Sequence, residues 1–137
     1  MPDTSQIIFI ADDDPEDLEL IEEGLTQQRP DVIIIKVSNG NDVIAKLDGM
    51  ADEALPCLII LDYNMPEING AQVLSLLCEQ QRYEQIPKII LSTSNAPVHI
   101  QECMKNGATA YFVKPTQIKE LDALATQMLH YCSLAAK

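Results

Sequence analysis

The sequence predicts an α/β protein, with one doubly wound sheet of five parallel strands and five helices on its two faces. Three observations lead there. Apolar runs rich in Val and Ile alternate with segments of helical period about five times along the 137 residues. No linker, repeat or low-complexity tract interrupts them, and the length suits a single core. Polar and charged residues gather just after the apolar runs, which is where an open parallel sheet keeps its ligands.

The first strand is read as Ile7 to Ala11. The helix after it should take Asp14 as N-cap and Pro15 as its first residue, with Leu18, Ile21 and Leu25 on the inner face. The second strand spans Val32 to Val37. Ser38-Asn39-Gly40 then turns into a helix carrying Val43, Ile44 and Leu47, which Gly49 stops. Leu58 to Leu61 form the third strand and end at Asp62. Met65 to Gly70 make a loop, punctuated by Pro66 and Gly70, before the helix of Val73, Leu74 and Leu77. Pro87 introduces the fourth strand, Lys88 to Leu91, followed by polar Ser92 to Asn95 and a helix from about Pro97 to Lys105, closed by Asn106-Gly107. Tyr111 to Val113 form a short fifth strand. Lys114-Pro115-Thr116 lead into a last helix with Ile118, Leu121, Ala125 and Met128 at helical spacing. The whole of 1–137 is expected to be one domain without a second, output domain.

Charge narrows the function classes. Nine Lys and Arg against 21 Asp and Glu give a net charge of -12, while 47% of residues are hydrophobic. Such a surface repels phosphate backbones and anionic lipid, so neither nucleic acid nor membrane is expected as a partner. The apolar runs are far shorter than a membrane span, and Met1 to Gln6 lack the basic and apolar regions of a secretory signal, so a cytoplasmic location is expected. Cys57, Cys78, Cys103 and Cys132 are widely spaced and form no C-x-x-C pair, so they are expected as reduced, mostly packed thiols.

The strand ends carry the chemistry. Strand one ends in Asp12-Asp13-Asp14, strand three in Asp62, strand four in Ser92-Thr93 and strand five in Lys114. Taken singly these have bland readings: Asp14 as a helix cap, Asp62 as a turn residue, Lys114 as a surface lysine, Ser92 as a loop cap. Together they are complementary. Carboxylates converging from neighbouring strands repel one another unless a cation lies between them, and a hard divalent ion such as Mg²⁺ suits an oxygen-only donor set. Lys114 adds a second positive centre for phosphoryl oxygens.

Over nearly its full length the chain resembles the receiver domain of two-component response regulators, particularly the stand-alone kind typified by the chemotaxis regulator. The resemblance rests on Ile10-Ala11-Asp12-Asp13, on Leu61-Asp62-Tyr63-Asn64-Met65-Pro66 with Gly70, on Leu91-Ser92-Thr93, and on Tyr111-Phe112-Val113-Lys114-Pro115. It implies a flavodoxin-like sheet of strand order 2-1-3-4-5. It also implies that Asp62 accepts a phosphoryl group from a phosphohistidine of a sensor histidine kinase or histidine phosphotransfer protein. Asp13, Asp62 and the carbonyl of Asn64 would ligate Mg²⁺, with Asp12 acting through a metal-bound water, and Lys114 and Ser92 would hold phosphoryl oxygens. Ser92 and Tyr111 would then switch the face of helix four, strand five and helix five. That face would meet a downstream protein target, or a second copy of the chain after phosphorylation; Ile100, Met104 and Tyr111 are candidate contacts.

Departures from the family pattern bear on rate. Ser92 replaces a commoner threonine, and Thr93 a commoner alanine, which narrows access. Asn64 and Ser94 stand where the family tunes water attack, and neither is a strong base, so a phosphoaspartate lasting minutes or longer is implied. His99 and His130 read as surface or packing residues rather than phosphotransfer histidines. Three other classes compete. A flavin protein would need a phosphate loop where three aspartates stand. A Mg²⁺-dependent phosphohydrolase would need a second carboxylate where Asn64 stands. A phosphorylation-independent receiver-like binding module remains the alternative to a phosphoacceptor that catalyses only its own phosphorylation and dephosphorylation.

Overall fold

The computed structural model describes residues 6–135. The elements run β1 (Ile7–Ala11), α1 (Pro15–Gln28), β2 (Ile33–Val37), α2 (Gly40–Asp48), β3 (Leu58–Leu61), α3 (Gly70–Cys78), β4 (Lys88–Ser92), α4 (Pro97–Lys105), β5 (Ala110–Val113) and α5 (Ile118–Ala135). Single turns of 3-10 helix, unforeseen in the sequence, lie at Asp52–Ala54 and Gln81–Tyr83. The N-terminal segment Met1 to Ser5 and the Ile118 side chain, both read above, lie outside the described residues.

All four strand pairings are parallel, and the order is β2-β1-β3-β4-β5, as the resemblance implied. The central strands β1, β3 and β4 are buried on both faces, which is why they read as continuous apolar runs rather than alternating ones. Alternate residues then choose a side. Phe9, Ala11, Ile59, Leu61 and Ile90 pack under α2, α3 and α4, whereas Ile8, Ile10, Leu58, Ile60, Ile89 and Leu91 pack under α1 and α5.

The helix starts follow the capping chemistry. The Asp14 carboxylate accepts the Glu16 N–H at 2.9 Å with Pro15 as first helical residue. Asn39 accepts the Asp42 N–H at 2.8 Å. Asn69 and Gln72 form a reciprocal capping box at the start of α3. Three strand boundaries shift by one residue: β2 begins at Ile33 rather than Val32, β4 runs on through Ser92, and β5 begins at Ala110 rather than Tyr111. The second shift has a cause in the ladder, since Ser92 pairs with Val113 and its carbonyl accepts the Lys114 N–H at 2.7 Å.

Two features at the opposite end of the sheet were not foreseen. Lys88 is buried, with Nζ donating to the carbonyls of Tyr83 (2.7 Å) and Ile86 (2.8 Å); burial holds it below the usual lysine range. The expectation of four reduced cysteines is corrected. Cys57 and Cys132 are disulfide-bonded across 75 residues, with Cα atoms 5.1 Å apart, while Cys78 and Cys103 are free. Spacing along the chain conceals this, because the approach of the end of α5 to the entrance of β3 exists only once the sheet is ordered. Alkylation of the unreduced, unfolded protein should therefore label two cysteines and spare Cys57 and Cys132. Reduction, or Cys132→Ser, should lower unfolding free energy by about 2–4 kcal/mol, read by urea titration with and without reductant.

Candidate functional site

The chain leaves β1 toward one edge of the sheet and returns for β3 on the other side, so the carboxyl ends of β1 and β3 form the crevice where the strand order reverses. Asp12 follows β1 and Asp62 follows β3, and the register that pairs Ala11 with Leu61 brings these two residues side by side. The Asp62 N–H donates to the Ala11 carbonyl at 2.9 Å, which extends the ladder into the site. Asp12 and Asp62 are buried, 1% and 6% exposed, while Asp13 is open to solvent. Carboxylate oxygens of Asp12, Asp13 and Asp62 all lie within 4.8 Å of one another.

Lys114 reaches this cluster from the end of β5. Its Nζ donates to Asp12 Oδ2 at 2.7 Å and to Asp17 Oδ2 at 2.8 Å, and stands 3.5 Å from Asp62 Oδ2. Burial opposes the ammonium charge, but the bonds to Asp12 and Asp17 outweigh it and hold Lys114 above the usual lysine range. Asp62 receives the weaker share. Burial first, and the Asp12 charge second, push its carboxyl up to about 7, against the opposing pull of Lys114.

The loop after Asp62 is folded back tightly. The Asp62 carboxylate Oδ1 lies 3.4 Å from the Asn64 N–H, and Gly70 N–H donates to the Tyr63 carbonyl at 2.8 Å. A Cβ at Gly70 would come within 2.7 Å of the Asp62 carbonyl oxygen, so glycine is required there by close backbone approach. Asn64 is exposed beside the cluster, and Met65 turns into the core.

Ser92 and Tyr111 complete the sequence-predicted set. Ser92 is fully buried as the last residue of β4, and its Oγ accepts the Ser94 N–H at 3.1 Å. The half-buried Tyr111 on β5 donates its hydroxyl to the Ser94 carbonyl at 2.7 Å. Of the candidate contacts, Met104 is exposed, whereas Ile100 and Tyr111 are half-buried. His130 is exposed on α5, and Thr93, the residue after Ser92, is exposed.

Asp17 was missed. It stands in the first turn of α1, where an acid is unremarkable beside the helix dipole, and only the folded chain shows it gripping Lys114. Tyr63 was missed as well: its ring stacks on His99 with centroids 4.8 Å apart, and its hydroxyl donates to Glu102 Oε1 at 2.7 Å.

The raised Asp62 carboxyl gives a sign to the pH dependence. A carboxyl that holds its proton more tightly folded than unfolded costs stability as pH rises from about 4 to about 7, and the full cost persists above. In chelator, Asp62→Asn should thus match the natural protein near pH 4 and exceed it by about 1–3 kcal/mol at pH 8, measured by urea unfolding. An equal difference at both pH values would contradict the electrostatic account.

Comparisons with known proteins bear on the same residues. The sequence profile described as the response regulator receiver domain matches residues 8–126. Among curated relatives, the two-component response regulator ARR9 of Arabidopsis thaliana is 36% identical over 72 residues, covering 53% of this chain and 31% of that protein. The two-component response regulator ORR7 of Oryza sativa is 32% identical over 83 residues, covering 61% of this chain and 40% of that protein. The chain thus spans well under half the length of these two relatives. Among solved structures, the phosphorylated cyanobacterial phytochrome response regulator RcpA superposes with a TM-score of 0.85 at 25% identity, covering 95% of each chain. The chemotaxis response regulator CheY4 of Vibrio cholerae, at 23% identity and a TM-score of 0.76 over 91% of this chain and 99% of that one, shares the fold. Five parallel strands in the order 2-1-3-4-5, the acidic cluster at their ends and the profile match agree: the chain belongs to the response regulator receiver domain family and is homologous to two-component response regulators.

Proposed function

We propose that the chain is the phosphoacceptor of a two-component or phosphorelay pathway, with Asp62 as the residue phosphorylated. The observation that carries this is the grouping of three aspartates within 4.8 Å with a lysine bound among them at the reversal point of the sheet. A carboxylate oxygen of Asp62 attacks the phosphorus of a partner's phosphohistidine. The O–P bond forms as the N–P bond breaks, and the imidazole nitrogen leaves. Little covalent chemistry is asked of the protein, because such transfer depends on in-line placement and on neutralising the equatorial oxygens.

The residues fit a divalent cation. Three oxygen donors converge, and the Asp62 carboxyl is raised by burial first and by the neighbouring Asp12 charge second, both of which a hard cation beside it would offset. Asp13, Asp62 and the Asn64 carbonyl would hold Mg²⁺, with Asp12 behind a bound water, and the ion would supply charge neutralisation at the phosphoryl oxygens. A related receiver of the same fold, Rcp1, at 25% identity, has been solved in a Mn²⁺-bound form. Lys114 would donate to a second oxygen, and the Ser92 hydroxyl to a third.

Phosphorylation converts one buried carboxylate into a group of roughly two negative charges. Lys114 then gains a stronger partner than Asp17. Ser92 and Tyr111 both bond the Ser94 segment, so a shift of Ser92 toward the phosphoryl group passes to α4 and β5. The face of α4, β5 and α5, with Val98, Met104 and Val113 exposed, would present that change to a protein target or to a second copy. The chain would act as a single receiver domain in the cytoplasm, facing a sensor histidine kinase or phosphotransfer protein; among the described residues no helix is long and apolar enough to cross a membrane. Its only catalysis would be of its own phosphorylation and dephosphorylation.

Incubation with acetyl phosphate and Mg²⁺ should add about 80 Da, the mass of one phosphoryl group, to the intact protein. Chelator and Asp62→Asn should each abolish the gain, and Lys114→Ala should reduce it severely. With Asn64 and Ser94 offering no strong base, the phosphoryl group should persist for minutes or longer after the donor is removed. No gain from acetyl phosphate or from a histidine kinase would leave the binding-module reading in its place.

A further inference from the structure

His99, half-buried on α4, is tied to the site by two contacts that the phosphoryl chemistry above does not use. Its Nδ1 lies 2.7 Å from Ser94 Oγ, and its ring stacks on Tyr63, the residue that follows Asp62. Ser94 is also bonded on three other sides: its N–H donates to Ser92 Oγ, its carbonyl accepts from Tyr111, and its Oγ accepts the Ala96 N–H at 3.2 Å. Ser92 and Tyr111, the two residues proposed to switch with the phosphoryl group, therefore meet at Ser94.

The direction of the Ser94–His99 bond depends on one proton. With Nδ1 bare, the Ser94 hydroxyl must donate to it. When Nδ1 takes up a proton from solvent, the imidazolium has only donors, so the bond reverses and the Ser94 hydroxyl hydrogen turns out toward another acceptor. Histidine is the side chain whose ordinary charge change falls between about pH 5 and 8. Around His99, Tyr63 comes from the loop after β3, Ser94 from the loop after β4 and Glu102 from α4 itself. Tyr111 of β5 ends on the Ser94 carbonyl, and α3 carries no charged residue. Tyr63 stays neutral throughout, since its bond to Glu102 and its burial push it up to about 12.

We propose that His99 is a positioning residue of the phosphoacceptor site, which reverses its hydrogen bond with Ser94 on taking up a proton and thereby makes retention of the phosphoryl group depend on pH. The proposal rests on the phosphoacceptor reading of Asp62. The protonated form sets a cation and a released hydroxyl donor beside Ser92, both of which favour a phosphoryl dianion, so loss of the group is slower in acid.

The test is a pH jump. Protein phosphorylated with acetyl phosphate and Mg²⁺ is freed of donor, moved to buffers from about pH 5.5 to 8.5, and followed by intact mass. In the natural protein the rate of loss, relative to His99→Gln at the same pH, should rise about threefold or more from acid to alkaline pH. Ser94→Ala should flatten the same step with His99 intact. Identical profiles in the natural protein and His99→Gln would overturn the proposal. A second measurement needs no phosphorylation: amide NMR shifts of Ser92 to Ala96 should step with pH in the natural protein and not in His99→Gln, and absence of that step would also overturn it. Failure to take up phosphate at all would instead count against Asp62 as acceptor, leaving the amide shifts to decide the hydrogen-bond reversal alone.

Discussion

Two buried carboxylates, Asp12 and Asp62, stand at the seam of β1 and β3 with one lysine between them, and that lysine is shared with Asp17. Negative charge exceeds positive charge in a place that water reaches poorly, so Asp62 holds its proton far above the usual carboxylate range. A folded chain keeps such an arrangement only if the surrounding structure enforces it. Here the parallel register enforces it, since Ala11 and Leu61 are paired and each hands the next residue to the crevice. The two-sided apolar burial of β1 and β3 anchors that register, so the core and the site are one problem in packing.

The same economy governs communication away from the site. The β4 ladder runs to Ser92, and beyond it Ser94 gathers bonds from Ser92, Tyr111 and His99. On the Ser94 side two of those three bonds use backbone groups, which cannot be retuned by choosing another side chain. Sensitivity must therefore come from the few side-chain partners, and these are a serine, a tyrosine and a histidine on three different elements.

Much of this was legible in the sequence. The five apolar runs and the Asp14-Pro15 start expressed local rules, and the structure keeps them within a residue. The acidic and basic strand ends were legible because a parallel sheet gathers them at one edge, so position along the chain translates into position in space. What stayed hidden depended on elements distant in sequence. Asp17 looks like any acid in a first helical turn until Lys114 arrives from β5. Lys88 looks like a strand's polar opening until the turn at Gln81–Tyr83 folds carbonyls over its amine. His99 looked like packing because its partners, Ser94 and Tyr63, lie in two separate loops.

The disulfide divides the molecule mechanically. Cys57 precedes β3, a central strand, and Cys132 lies near the far end of α5, so the longest helix is clamped to the middle of the sheet at one end while Lys114 anchors the chain that enters it at the other. α5 is thus a stiff wall, whereas α4 spans only nine residues and starts without a side-chain cap. Any compliance in the α4, β5 and α5 face is concentrated in α4, and a partner gripping that face would feel one hinged panel moving against one fixed one.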